Sequence, residues 1–215
     1  MTEFMTEEEQ VEQLKNWIKQ YGMAIVAGIA MALIIVSCWH YWQRYQTRIL
    51  THASRTYDEM LTLRAQNNSV GATLQAQKLQ THFAKTPYAQ LASMILAREA
   101  VTNKNYPEAI KQLNTVISSS SNPSLRAIAK ARIARINIAQ NKPDAALELL
   151  KNVEDKHFNG LIDEIKGDAY LMQKDTAKAK ASYQLALKEL PAEEVTQRPL
   201  LQMKLDNLAT ASDAT

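Results

Sequence analysis

Apolar and polar residues follow two regimes along the chain. From Gly22 to Trp42 they are hardly mixed: no charge falls between Met23 and Val36, and the apolar character continues through Cys38 and Trp39 to Trp42. These 21 residues match the roughly 20 that a helix needs to cross a bilayer core of about 30 Å. Trp17 and Tyr21 precede the stretch and Trp39, Tyr41 and Trp42 close it, and such amphipathic rings settle at headgroup level. A soluble core helix of this length would normally keep a polar face. The pattern predicts a transmembrane helix over 22–42 behind an acidic tail over 1–21. Within the span, Ala24, Gly28 and Ala32 recur every fourth residue on one helix face, where small side chains let another membrane helix approach closely.

Beyond Arg44 the apolar positions return at helical spacing, interrupted by short breakers. These are "NNSVG" (Asn67–Gly71), "KTP" (Lys85–Pro87), "NKNYP" (Asn103–Pro107), "SSSSNP" (Ser118–Pro123), "NKP" (Asn141–Pro143), "NG" (Asn159–Gly160), "QKD" (Gln173–Asp175) and "LPAEE" (Leu190–Glu194). Proline at a first helical turn is tolerated because its missing N–H would be unpaired anyway. No segment sustains the period-two alternation of a half-buried strand. The predicted fold class is therefore all-α.

The spacing also repeats. In "KGDAYLMQKDTAKAKASYQLALKELP" (Lys166–Pro191), Gly167 and Tyr170 lie on a first helix, Ala179, Tyr183 and Ala186 on a second, and Pro191 closes the unit. These six residues resemble the signature of the tetratricopeptide repeat; Asp163 and Lys166 depart from it, where a large aromatic and Leu are usual. Shifting back 33 residues brings Ala134, Ala146, Leu150 and Val153 to the same places, and a further 37 brings Ala97, Ala109, Leu113 and Val116. A degenerate earlier unit is expected over about Arg55–Pro87. Three good units meet the minimum for stacking, since one helix pair cannot bury its apolar face alone. The expected architecture is one amino-terminal span followed by an α-solenoid of three to four helix pairs over 43–209. A capping helix over roughly Thr196–Leu208 and a disordered tail over 210–215 complete it.

Composition adds limits. Five glycines leave no room for a phosphate-cradling loop, and His40, His52, His82 and His157 are scattered without metal-ligand spacing. Ser118–Ser121 beside Asn122–Pro123 reads as a connector, not as nucleophiles. No catalytic residue, cofactor site or metal site is identified. The formal net charge of +3 is too mild to argue for nucleic acid; residues 1–21 hold five Glu and two Lys, leaving +6 for the remainder. Four of those cations stand on "LRAIAKARIAR" (Leu125–Arg135), either as a solvated face or as a surface for an acidic partner. The leader "MTEFMTEEEQVEQ" lacks the basic region of a signal peptide. "IVSC" (Ile35–Cys38) leaves a lipid-modified Cys38 open as an alternative to the span. The basic residues on either side of the span, Lys15 and Lys19 against Arg44 and Arg48, do not choose an orientation.

In tetratricopeptide domains the first helix of each pair lines a concave groove. Carrying those positions over gives Met94, Arg98 and Val101, then Ala131, Arg135 and Ile138, then Glu164, Asp168 and Leu171. That is an apolar strip with stacked arginines, suited to an extended or helical polypeptide.

Three further pieces, "EEEQVEQLKNWIKQYG" (Glu7–Gly22), "WHYWQ" (Trp39–Gln43) and "LLQMKLDNLA" (Leu200–Ala209), make the chain similar to the YfgM family of ancillary subunits of the bacterial SecYEG translocon. The resemblance implies a non-enzymatic inner-membrane protein with a cytoplasmic amino terminus and a periplasmic tetratricopeptide-like domain. Its implied partners are SecYEG, a PpiD-like membrane-anchored chaperone, and unfolded secreted or outer-membrane clients. An envelope scaffold or a stress-response regulator is the alternative reading of the sequence.

Overall fold

The computed structural model describes residues 7–190 and 197–213, and no strand occurs among them. The described α-helices are α1 (Glu7–Ala65), α2 (Ser69–His82), α3 (Pro87–Thr102), α4 (Tyr106–Ser119), α5 (Pro123–Ala139), α6 (Pro143–Leu150), α7 (Asn159–Met172), α8 (Thr176–Glu189) and α9 (Gln197–Asp213); a single 3-10 turn at Lys156–Phe158 precedes α7. The chain divides into two units between His52 and Ala53.

The first unit holds α1 as far as His52. Met23 is 83% exposed, and Val26, Ile29, Met31, Leu33 and Ile35 also stand free of protein cover. A helix that is apolar on every side and covered by nothing is stable only in an apolar solvent. Lys15–Ala65 contains the described helix long and apolar enough to cross a membrane. The helix itself ignores the expected boundaries at 21 and 42: it begins at Glu7 and passes both. No proline stands between them, and the backbone shows no break at either position. Thr47 and Thr51 fold their hydroxyls onto the carbonyls of Gln43 and Thr47, each at 2.9 Å.

The second unit is four helix pairs and a cap. The pairs are the end of α1 with α2, then α3–α4, α5–α6 and α7–α8, with α9 following. Every pair turns in the same way. Asn67, Lys104, Asn141 and Lys174 adopt φ of 58°, 57°, 60° and 63°. The next residue's N–H then reaches back to the carbonyl five positions earlier: Asn68 to Leu63, Asn105 to Ala100, Lys142 to Asn137 and Asp175 to Tyr170, at 2.8–3.0 Å. This bond closes a left-handed helix terminus. In three pairs that same residue caps the following helix, since Asn68, Asn105 and Asp175 accept from the N–H of Gly71, Glu108 and Lys178. Lys142 cannot accept, and α6 has no side-chain cap.

The repeat positions pack as their spacing predicts. Ala97, Ala109, Leu113, Val116, Ala134, Ala146, Leu150, Ala179, Tyr183 and Ala186 are all buried. Val153 is the exception: α6 stops at Leu150, leaving Val153 half-buried in the following loop. Arg126 pairs with Glu154, Ser124 donates to Asp155 at 2.6 Å and Lys130 to the Asn152 carbonyl at 2.6 Å, so α5 holds this loop down. The degenerate first unit keeps the register, with Met60, Ala72, Ala76 and Leu79 buried at the equivalent places.

Across each pair the sizes of two facing residues are reciprocal. Gly167 meets Tyr183, Ala134 shares a core with Leu150, and Ala97 with Leu113. In the first pair the order inverts, with the large Met60 against the small Ala76. A Cβ on Gly167 would lie 2.3 Å from Tyr183 Cε1, so the largest ring demands the absence of any side chain opposite. The two departures from the repeat signature answer each other: Lys166 pairs with Asp163 at 2.9 Å.

Leu201, Leu205 and Leu208 of α9 bury against Ala179, Tyr183 and Ala186, with half-buried Tyr170 beside them. Leu200 points outwards, 51% exposed. The helix starts at Gln197 and continues to Asp213, four residues into the tail expected to be disordered. No glycine or proline interrupts it there. Pro191 and residues 214–215 lie outside the described residues.

Candidate functional site

The first helices of the last three pairs are α3, α5 and α7, and the nine groove candidates lie on them as expected. Their environments differ. Met94 and Ala131 are buried, at 7% and 3% exposure, because each faces the next pair's first helix: Met94 packs with Ala129 and Ile133, Ala131 with Ile162 and Ile165. They belong to the core and not to a binding surface. Arg98, Val101 and Arg135 are exposed and line one pocket of about 300 Å³ between α3, α4 and α5. Ala97, Tyr106, Leu113, Ile136 and Ala139 complete its apolar wall, and Arg132 joins its rim. Ile138 is half-buried and packs towards the α5–α7 core, while Leu171 is 43% exposed at the end of α7.

Glu164 and Asp168 are already engaged. Lys204 of α9 donates to Glu164 Oε1 at 2.9 Å and to Asp168 Oδ1 at 2.7 Å. The Tyr183 hydroxyl donates to the same Asp168 oxygen at 2.7 Å, and the Lys204 ammonium lies 5.4 Å from the Tyr183 ring centroid. Burial pushes the Tyr183 phenol far above its usual range, and Asp168 pushes the same way. Burial pulls Lys204 down, but its hydrogen bonds to Asp168 and Glu164 outweigh this and leave it raised. These acids therefore fasten the cap to the last helix pair instead of facing a ligand. Lys204 is a linker that the helical periodicity alone did not reveal, because its partners are 36 and 40 residues away.

The cation-rich α5 splits into two sets. Arg126 and Lys130 are spent on the loop after α6. Arg132 and Arg135 turn to the pocket, where Arg132 reaches Met94 Sδ at 3.5 Å and Arg135 stands 3.7 Å from Glu164. A second hollow, of about 410 Å³, lies between α2, α3 and α4 and is lined mostly by polar residues. There Gln80 donates to Ser93 Oγ at 2.8 Å and to Gln112 Oε1 at 2.6 Å, and Gln112 donates to Glu108 at 2.7 Å. This ladder ties three helices together; among the described residues no group of three His, Cys, Asp or Glu converges.

On α1, Ala24, Gly28 and Ala32 are exposed, and a Cβ on Gly28 would meet nothing within 4 Å. The face is open to another helix. Cys38 is exposed within the same helix.

Comparison with known proteins covers both units. A family profile described as a tetratricopeptide repeat-like domain matches residues 15–210. The ancillary SecYEG translocon subunit of Aggregatibacter actinomycetemcomitans is 30% identical over 202 residues, spanning 94% of this chain and 97% of that protein. The protein of the same name from Escherichia coli strain K12 is 26% identical over 208 residues, 96% and 98% of the two chains. That of Neisseria gonorrhoeae is 28% identical over 214 residues, 97% and 100%. No solved structure matches the chain. With the apolar helix and the helix-pair domain both inside the matched region, the chain belongs to the family of ancillary SecYEG translocon subunits, built on a tetratricopeptide repeat-like domain.

Proposed function

We propose that this protein is a single-pass, non-enzymatic subunit of the bacterial inner membrane that associates with SecYEG and presents its helix-pair domain to translocating polypeptide. The amino terminus is cytoplasmic and the domain periplasmic, at the channel exit. There it binds emerging secreted or outer-membrane proteins and passes them on, together with a PpiD-like membrane-anchored chaperone. The carrying observation is an apolar helix left bare on all sides in a chain whose domain displays an open pocket on the first helices of its pairs. The names of the full-length relatives supply the channel. Anchoring raises the effective concentration of the pocket to the millimolar range expected of tethered partners, on the order of 1 mM, so a weak site suffices and release stays fast.

Photocrosslinkers at Ala24, Gly28 and Ala32, and separately at Val101, in intact membranes test the reading. The first set should capture translocon subunits and the second should capture chains arrested during export. If the first captures no translocon subunit, or if carbonate strips the protein from vesicles, the assignment fails.

A further inference from the structure

The pocket between α3, α4 and α5 has a charge pattern that a plain apolar peptide groove does not explain. Its wall is apolar, built from Ala97, Val101, Tyr106, Leu113 and Ile136, and its rim carries three guanidinium groups. Neither Arg98 nor Arg132 has a carboxylate within ion-pair distance among the described residues, and Arg132 donates to the Met94 sulfur at 3.5 Å. Arg135 has Glu164 at 3.7 Å, but Lys204 holds that carboxylate more closely, at 2.9 Å. Arg132 and Arg135 stand three residues apart on one face of α5, a spacing at which like charges repel. By contrast, Arg64, Arg126 and Lys204 each have a carboxylate at 2.5–2.9 Å. Lysines such as Lys85 and Lys188 also stand without an ion pair among the described residues, but on open surface; at the hollow three guanidinium groups converge on one apolar wall.

We infer that this pocket selects acidic polypeptide segments, seating one bulky apolar side chain against Leu113 and Ile136 while carboxylates on either side of it pair with Arg98, Arg132 and Arg135. The volume of about 300 Å³ is at the small end of ligand sites, which run from about 300 to 1,000 Å³; it holds a single anchor and not the whole face of a helix. Guanidinium forks match carboxylates in pairs of hydrogen bonds, and at the edge of an apolar wall they are less hydrated than in open water. A bare phosphate would leave the apolar wall empty. The inference rests on the proposed function in taking the ligand to be polypeptide, and it adds the chemistry by which one segment is chosen over another.

The test uses the full-length chain in nanodiscs of neutral lipid and short fluorescent peptides with a central Leu flanked by aspartates, asparagines or lysines. The aspartate peptide should bind on the order of tenfold more tightly than the asparagine one, the gain expected of one to two charge-assisted hydrogen bonds. The lysine peptide should bind least. The triple variant R98Q/R132Q/R135Q, altering exposed side chains only, should abolish this ranking. Val101→Trp should fill the hollow, so that replacing the central Leu by Gly no longer weakens binding. Equal binding of aspartate and lysine peptides, or a ranking that survives the triple variant, overturns the inference. So does displacement of the peptide by inorganic phosphate or anionic-lipid vesicles at equal charge, or an arginine-dependent self-association of the chain. None of those results affects crosslinking of exported chains to Val101, and loss of that crosslinking with peptide selectivity intact would remove the proposed function instead.

Discussion

Replacing Gly167 by Ala adds one methyl group where α7 and α8 come closest. Its carbon would stand 2.3 Å from Tyr183 Cε1 and 2.4 Å from Cδ1, well inside the optimal carbon–carbon separation of about 3.5–4.0 Å. The ring has nowhere to go. Tyr183 is fully buried and its hydroxyl is tied to Asp168 at 2.7 Å. Overpacking a filled core costs about 1–3 kcal/mol, and a clash with a rigid ring belongs at the upper end. Alanine returns about 1 kcal/mol through its better helix propensity. The net loss is therefore about 2 kcal/mol, or a fall in Tm of roughly 4–8 °C for a domain of this size. Thermal unfolding of the full chain in micelles, followed by far-ultraviolet circular dichroism, measures it. The paired variant G167A/Y183L copies the alanine–leucine arrangement of the two preceding pairs and should show a coupling of about 1 kcal/mol or more relative to the sum of the single changes. A Gly167→Ala protein that melts at or above the parent temperature would refute the packing argument.

Lys204→Met keeps the aliphatic stem of the side chain but leaves Glu164 and Asp168 without their cation. It should lower stability by about 1–3 kcal/mol and speed proteolytic cleavage within α9; an unchanged digestion pattern would contradict the role of Lys204 as the fastener. Alkaline pH should act on the same cluster. Tyr183 and Lys204 both hold their protons more firmly folded than their usual values of 10.0 and 10.5, so the folded state binds more protons above those values. The contribution is intact below about pH 10 and is lost as pH rises beyond it, and the decline in Tm should be shallower in Lys204→Met. Lys142→Asp installs at α6 the cap that the other three pair turns possess, and should add about 1 kcal/mol; calorimetry showing no gain would mean that the Lys142 backbone cannot present a capping oxygen.

Much of the architecture was legible because it is local. The breakers at Asn103–Pro107, Asn141–Pro143 and Gln173–Asp175 mark the pair turns, and alanines spaced for close helix contact mark the facing surfaces. The first unit was hard to recognise because Met60 and Ala76 exchange the usual small and large positions, a compensation visible only when both sides are seen together. The groove was half legible. Helical periodicity put Arg98, Val101 and Arg135 on the correct side but could not tell that Met94 and Ala131 lean into the neighbouring pair. Nor could it tell that Glu164 and Asp168 are claimed from α9, since that contact depends on how the chain returns. In the sequence Arg132 is one cation among four, and its company in the pocket is a tertiary fact.

The reciprocal sizes across the helix pairs also bear on how this family can diverge. Met60 and Ala76, Ala97 and Leu113, Ala134 and Leu150, and Gly167 and Tyr183 are each separated by sixteen positions. Drift at one member narrows what its counterpart can become, so substitutions sixteen apart should be inherited as couples, large exchanged for small, while the total volume between the two rods is conserved. The two central pairs, alanine against leucine, are the milder form of the couple that Gly167 and Tyr183 carry to its extreme.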